Sequence, residues 1–404
     1  MKRKSSYLWL ISLFAALCSQ ECFSGQPNVI LIMTDDQGYG DLSCHGNPWI
    51  KTPNIDKLAA QSIRLDDYHV SPYCVPTRAA LLTGRYADRT GIHNVLSPDF
   101  ITRADEFLMS ESFEQGGYAT GMFGKWHLGD NYPFGPEHRG FDQVLRHCGG
   151  AIGVLADYWD NCYLDDSYYE NGKPTRVMGY CTDVFFAAAK RFIEEATQQT
   201  KPFFVYLPTN APHGPRICPP SYANPYQKGS ARGLATFYGM IANIDENVGR
   251  LRDWLQRKDL HRNTIFIYCT DNGTAGGQRL YNAGMRGNKG SAYDGGHRVP
   301  FFLHWPAGGF DHEKRIKTLT AHVDIFPTLL DLCGLEKPQG VKLDGRNLRP
   351  LLEKGDDIQW PDRIIMTDSQ KKNLPTKWIP NRDGLRHQAR CLSRSSSIEQ
   401  RQND

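Results

Sequence analysis

Four stretches of the chain are apolar without alternation: Asn28–Met33, Phe203–Leu207, Thr264–Cys269 and Val299–Trp305. Short unbroken runs suit strands covered on both faces, so each is expected to be a buried parallel strand. Between them the pattern turns helical. It is clearest from about Ala231 to Lys258, where Leu234, Phe237, Ile241, Ile244, Val248, Leu251 and Leu255 share one face. Strands alternating with helices predict an α/β fold on a large, mostly parallel, doubly wound sheet sandwiched by helices. A shorter helix is expected to start just after Cys74, where Pro76 precedes Ala79-Ala80-Leu81-Leu82.

Two of the runs end in carboxylates. The first leads into Thr34-Asp35-Asp36 and the third into Thr270-Asp271-Asn272-Gly273. Ligands of open α/β sheets bind at the carboxyl ends of the strands. Three carboxylates and an amide gathered there repel one another unless a cation joins them, and hard oxygen donors suit Ca²⁺ or Mg²⁺ rather than zinc. Taken singly, an Asp after a strand reads as a helix cap or a turn; it is the pair of motifs that favours a metal. Asn272-Gly273-Thr274 is formally a glycosylation sequon, a poor reading for a strand terminus feeding a cleft.

Composition narrows the class. With 404 residues, 40 % hydrophobic and 23 % charged, the chain is large enough for a full core. A net charge of +3 supplies no general attraction to nucleic acid or anionic membrane. Lys2, Arg3 and Lys4 before the apolar stretch Tyr7–Cys18 read as a secretory signal over residues 1–24, with an uncleaved anchor as the alternative. The expected protein is exported (secreted or periplasmic) and free of the membrane after cleavage. Eleven cysteines suit an oxidising compartment. Setting aside Cys18, Cys22 and Cys74 leaves Cys44, Cys148, Cys162, Cys181, Cys218, Cys269, Cys333 and Cys391, with one disulfide expected among Cys148, Cys162 and Cys181. No zinc-spaced His/Cys cluster is present.

The most specific stretch is Ser71–Arg85. A cysteine at the positive end of a helix, with Arg78 one turn along, reads as a low-pKa thiol facing an anion. Cys74-Val75-Pro76-Thr77-Arg78, followed by Ala79-x-Leu81-x-Thr83-Gly84-Arg85, resembles the sulfatase signature, with Thr77 where Ser is usual. Gly124-Lys125-Trp126-His127-Leu128-Gly129 is similar to the second sulfatase motif. Ala211-Pro212-His213 resembles the family's histidine loop, and Arg286-Gly287-Asn288-Lys289 with Asp294–Pro300 its lysine loop. Alone, Lys125, His127, His213 and Lys289 would pass for solvated or structural residues; the family order of the motifs reverses that reading. Asp41, His45, His138, His304 and His322 have no such support and are read as structural.

The resemblance implies an alkaline-phosphatase-like fold and hydrolysis of a sulfate monoester, aryl or carbohydrate. It implies a Ca²⁺, with Mg²⁺ as the alternative, held by Asp35, Asp36, Asp271 and Asn272 against residue 74. Cys74 would be converted to formylglycine by a formylglycine-generating enzyme. The hydrated aldehyde would attack sulfur, helped by Arg78; Lys125, Lys289 and His213 would hold the sulfate; His213 or Lys289 would protonate the leaving alcohol. His127 would then restore the aldehyde. A phosphonate or phosphate ester hydrolase and an inactive sulfoglycan-binding relic are the competing readings. The catalytic domain is expected over 25–345, with a helix over Val323–Leu330. A partial, seemingly truncated C-terminal antiparallel subdomain follows over 346–380, including a strand at Arg363–Asp368, and then a disordered tail over 381–404. Tyr158, Trp159, Tyr163, Tyr168 and Tyr169 read as ring-stacking or core residues.

Overall fold

The computed structural model describes residues 25–92 and 101–368, together with the backbone of two short strands at 376–380 and 391–392. The proposed signal over 1–24 and most of the proposed tail lie outside the described residues. The strands are β1 (Asn28–Thr34), β2 (Ile63–Leu65), β3 (Tyr68–His69), β4 (Ala119–Lys125), β5 (Gln143–His147), β6 (Ser167–Glu170), β7 (Lys173–Arg176), β8 (Phe203–Pro208), β9 (Thr264–Thr270), β10 (Phe301–His304), β11 (Arg315–Ile316), β12 (Thr320–Ala321), β13 (Ile364–Thr367), β14 (Thr376–Pro380) and β15 (Cys391–Leu392). The helices are α1 (Pro53–Ala60), α2 (Cys74–Thr83), α3 (Met109–Gln115), α4 (Cys181–Gln198), α5 (Pro220–Ala223), α6 (Ala235–Arg257), α7 (Asp294–His297), α8 (Ile325–Leu332) and α9 (Arg349–Lys354).

Ten strands form one sheet in the order β11-β2-β10-β9-β1-β8-β4-β5-β6-β7. Its centre, β9-β1-β8-β4-β5, is parallel throughout. Successive residues of these strands feed opposite faces. Val29, Leu31, Met33, Phe204, Tyr206, Ile265 and Ile267 pack under α2, α3, α8 and α9. Ile30, Ile32, Val205, Leu207, Phe266 and Tyr268 pack under α1, α4 and α6. Both faces are dry, which is why the runs are apolar at every position. The long helix divides the same way: Ile244, Val248, Leu251 and Leu255 meet the sheet, while Leu234, Phe237 and Ile241 join a satellite cluster with Ile50 and Tyr226.

Two expectations fail here. β10 runs antiparallel to both β9 and β2, not parallel; a run covered on both faces looks the same in either direction. No disulfide forms among the described cysteines. Cys181 is locked in the core at the start of α4, Cys148 sits beside Arg146, and Cys162 is exposed, so the three do not meet. The small C-terminal sheet is antiparallel, as expected, in the order β13-β14-β15. Its last strand lies inside the segment expected to be structureless. Among the described residues no helix is long and apolar enough to cross a membrane.

β4 carries a constraint on which the next section depends. Gly124 has φ +133°, and a Cβ there would collide with the carbonyl oxygen of Pro208 on β8. Only glycine tolerates this conformation beside that neighbour. Gly124→Ala is expected to lose roughly 3 kcal/mol of stability by urea denaturation. Gly233→Ala, at a glycine with open space around it, should stay near wild type.

Candidate active site

Four adjacent parallel strands deliver the site at one end of the sheet. β9 ends in Asp271 and Asn272, β1 in Asp35 and Asp36, β8 leads to His213, and β4 ends in Lys125 just before His127. The register is tight: Thr34 pairs with Thr270 and Met33 with Pro208, so the chain ends emerge level. α2 points its N-terminus at this edge, with Cys74 as its first residue and Tyr73 as its N-cap. All ten residues of α2 are buried, so it is a core helix rather than an amphipathic one.

Burial obliges every charge here to find a partner. Arg78 and Lys125 are both fully buried. Arg78 donates through Nη2 to Asp271 Oδ2 at 2.7 Å and through Nη1 to the Lys125 carbonyl at 3.0 Å, and it stands 3.7 Å from Asp35 Oδ2. Lys125 Nζ donates to Asp35 Oδ2, and Lys289 Nζ to Asp36 Oδ1. Asn272 Nδ2 donates to Asp36 Oδ1 at 3.0 Å, and the Asp36 amide to Asp271 Oδ1 at 3.2 Å. His213 Nε2 stands 3.7 Å from Asp36 Oδ2, and Cys74 Sγ 3.6 Å from His127 Nδ1. The structure thus brings all ten sequence-chosen residues into one connected cluster. Asp36 (φ 66°) and His127 (φ 60°) take left-handed backbone to do so, a strain typical of functional positions.

Burial tends to neutralise each group, and neighbours resist. Burial alone would raise Asp35, but Lys125, His213 and Arg78 outweigh it and hold the carboxyl well below its usual range. For Asp271 burial wins: with Asp35 alongside, its carboxyl is pushed up to about 7 despite Arg78. Burial, then Lys125 and Arg78, keep His127 well below the ordinary histidine value. Burial, helped by Lys125 and Lys289, lowers His213. Its Nδ1 lies 2.6 Å from the Gly214 carbonyl, which only accepts, so Nδ1 carries a proton and Nε2 faces the cluster.

Cys74 corrects the sequence reading. Burial pushes its thiol above the usual cysteine value, against Lys125 and Lys289. Desolvation, with Asp35 and Asp271 adding to it, exceeds the pull of the two lysines.

The donor set fits a hard cation. Asp35, Cys74 and Asp271 offer atoms that all lie within 4.8 Å of one another. Two buried oxygens in the cluster, Asp35 Oδ1 and Asn272 Oδ1, have no hydrogen-bond partner. Orphaned anionic and carbonyl oxygens side by side are what a Ca²⁺ or Mg²⁺ site presents.

With this geometry in place, comparison with known proteins is decisive. The family model described as Sulfatase matches residues 27–335. The chain belongs to the sulfatase family. It is thereby an enzyme, a sulfuric ester hydrolase. It is 34 % identical to arylsulfatase A of Homo sapiens, over 84 % of this chain and 70 % of that one. It is 32 % identical to N-acetylgalactosamine-6-sulfatase of Mus musculus, over 83 % of this chain and 68 % of that one. The crystal structure of Ps i-CgsB in complex with k-i-k-neocarrahexaose matches with a TM-score of 0.80 and 30 % identity, covering 88 % of this chain and 82 % of that one. These similarities bear out the alkaline-phosphatase-like fold class.

Some of the sulfatase's supporting residues escaped sequence reasoning. Tyr163 is fully buried and donates to the His213 carbonyl at 3.1 Å, fixing the histidine loop. Tyr168 is likewise core, whereas Trp159 is 87 % exposed, so the aromatic segment splits between both readings. His322 is structural as expected, and it braces the loop before Cys74: its Nε2 lies 3.3 Å from Ser71 Oγ, and Thr77 Oγ1 donates to the Ser71 carbonyl at 3.0 Å. The sequon at Asn272 is fully buried, in keeping with its poor reading. Nothing in the local sequence around Tyr163 marks it; only the fold brings it to His213. Tyr163→Phe is expected to cost about 1 kcal/mol of stability and to lower kcat/KM on an aryl sulfate about fivefold, read by denaturation and initial rates.

Proposed function

We propose that the protein hydrolyses sulfate monoesters of carbohydrates or aryl alcohols, using a formylglycine made from Cys74 and a Ca²⁺ held by Asp35, Asp36, Asp271, Asn272 and residue 74. The observation that carries this reading is the closed ten-residue cluster with two orphaned oxygens, Asp35 Oδ1 and Asn272 Oδ1. Mg²⁺ shares the preference for such donors and is the alternative ion. The similar structure of Ps i-CgsB, solved in complex with k-i-k-neocarrahexaose, supports the carbohydrate branch.

The cluster's formal charges cancel, three carboxylates against Arg78, Lys125 and Lys289. Bound there, a divalent cation would leave the pocket two charges positive and polarise a sulfate oxygen. Formylglycine, as its hydrate, supplies a hydroxyl nucleophile and a second hydroxyl whose deprotonation expels sulfate. The raised thiol of Cys74 accords with a need for this conversion, since an unmodified side chain there stays protonated. Arg78 is fixed at both ends of its fork and would stabilise charge on residue 74 without moving. Lys125 and Lys289 each spend a donor on a carboxylate and keep others for sulfate oxygens. His213, with Nδ1 tied to Gly214, would pass a proton to the leaving alcohol through Nε2, with Lys289 as the other candidate. His127 is held neutral and would accept a proton at Nδ1, the atom nearest residue 74. The basic, apolar N-terminus supports export as the route to its substrate, and the Cys74–Arg78 run supports a formylglycine-generating enzyme as the maturation partner.

Protein coexpressed with a formylglycine-generating enzyme and supplied with Ca²⁺ is expected to hydrolyse an aryl sulfate. Cys74→Ala should lose at least about a thousandfold of that rate while its circular dichroism and melting curve stay intact; a folded mutant with substantial activity overturns the nucleophile. Chelator-treated protein should gain stability on adding Ca²⁺, about 2.7 kcal/mol at a hundredfold excess over Kd. A melting temperature indifferent to Ca²⁺ and Mg²⁺ refutes the cation.

A further inference from the structure

At the other end of the sheet, a cleft of about 330 Å³ opens between α1, α6, the start of β9 and the end of β10. Thr264 lines it, whereas Thr270 borders the reaction centre; six residues of strand separate the two by about 20 Å. No residue of the catalytic cluster reaches it.

Its lining is basic. Lys57 comes from α1, Arg252 from α6, His261 from the loop before β9 and His304 from β10; Asp253, exposed, is the one acid. Arg252 is half-buried. Its Nη2 donates to Gln61 Oε1 at 2.7 Å, a neutral acceptor, and among the described residues no carboxylate forms an ion pair with it. Burial lowers its guanidinium from the ordinary value, opposed only by Asp253. A half-buried, unpaired arginine is costly, unlike the arginine of the reaction centre, which meets two carboxylates. His261 Nδ1 is buried without a hydrogen-bond partner. His304 Nδ1 lies 2.5 Å from the Gln61 carbonyl and so carries a proton, leaving Nε2 to gain one only beside a negative charge. Burial, then Arg252, His312 and His261, push His304 down to about 4. An anion seated here would pair with Arg252 and Lys57 and would favour protonation of His304, which its present surroundings keep neutral.

Donors arriving from four different elements surround a volume rather than face a plane. That suits a tetrahedral group with oxygens on every side better than a flat carboxylate. The cleft is also larger than a bare oxyanion requires, at the lower end of small-molecule sites. We propose that it is a second oxyanion site, binding sulfate or phosphate either as the free ion or as the head of an ester, remote from the reaction centre.

Isothermal titration of the mature protein tests this without turnover. Inorganic sulfate and glucose 6-phosphate are titrated separately into wild type, Arg252→Gln and His261→Gln, with melting curves to establish that each variant folds. The expected result is a site in wild type that weakens at least about tenfold in both variants, the loss of a charge-assisted hydrogen bond, while hydrolysis at the reaction centre is unchanged. Tighter binding of glucose 6-phosphate identifies an ester as the ligand; equal binding identifies the free ion. Titrations that coincide for wild type and both folded variants overturn the proposal, whatever the enzyme proves to hydrolyse.

Discussion

Everything at the working end of this molecule follows from holding three carboxylates within reach of one another in a dry interior. Asp35, Asp36 and Asp271 arrive on two adjacent strands whose register leaves no freedom to separate them. Mutual repulsion at such range is tolerable only if each is matched. Arg78 is therefore buried with Asp271, Lys125 with Asp35, and Lys289 with Asp36. Each pairing recruits a different part of the chain: α2 for Arg78, β4 for Lys125, the loop before α7 for Lys289. The charge balance is thus also the assembly instruction that brings four motifs, distant in sequence, to one point.

The same burial sets the chemistry available. Asp35, Asp271 and His127 have little or no solvent exposure, so burial and neighbours govern their pKa values. Asp35 and Asp271 are chemically identical and one strand apart, yet one is driven down by three cations and the other up by desolvation and like charge. His127 stays neutral because burial, and then the charges of Lys125 and Arg78, disfavour its protonation, a state suited to a base. Cys74 moves opposite to the expectation from its helix terminus, because burial, aided by Asp35 and Asp271, raises its thiol more than Lys125 and Lys289 lower it.

How much was legible in the sequence depended on what each feature needs from distant residues. β1, β8 and β9 were readable because double-sided burial demands apolarity at every position. β4 was not read as a strand: Ala-Thr-Gly-Met-Phe-Gly-Lys contains two glycines, one required by its approach to Pro208, and its identity rests on neighbours. The hairpin β6–β7 ends the sheet, with Tyr168 of β6 in the core but β7 polar and mostly exposed, so no strand-length apolar pattern declares it. The direction of β10 is a property of topology, invisible in the run itself. All ten residues of the cluster were legible as candidates because each sits in a motif with local grammar. The pairings of Tyr163 with the His213 carbonyl and of Ser71 with His322 have none, and only tertiary structure brings those partners together.

The two ends of the sheet make a physical contrast. At the carboxyl ends of the strands, every buried cation has an anion supplied by the chain itself, and the two oxygens left over point to a positive ion. Near the start of β9, Arg252 has no such counterpart, and the surplus is basic. Stability alone would favour a carboxylate beside Arg252, or an apolar residue in its place, since a paired or absent charge costs less than an orphaned one. In both places the residues that fail to satisfy one another indicate the sign of what is missing. For the strand ends that sign agrees with the family's chemistry, which gives weight to applying the same reasoning to the cleft, where no family motif speaks.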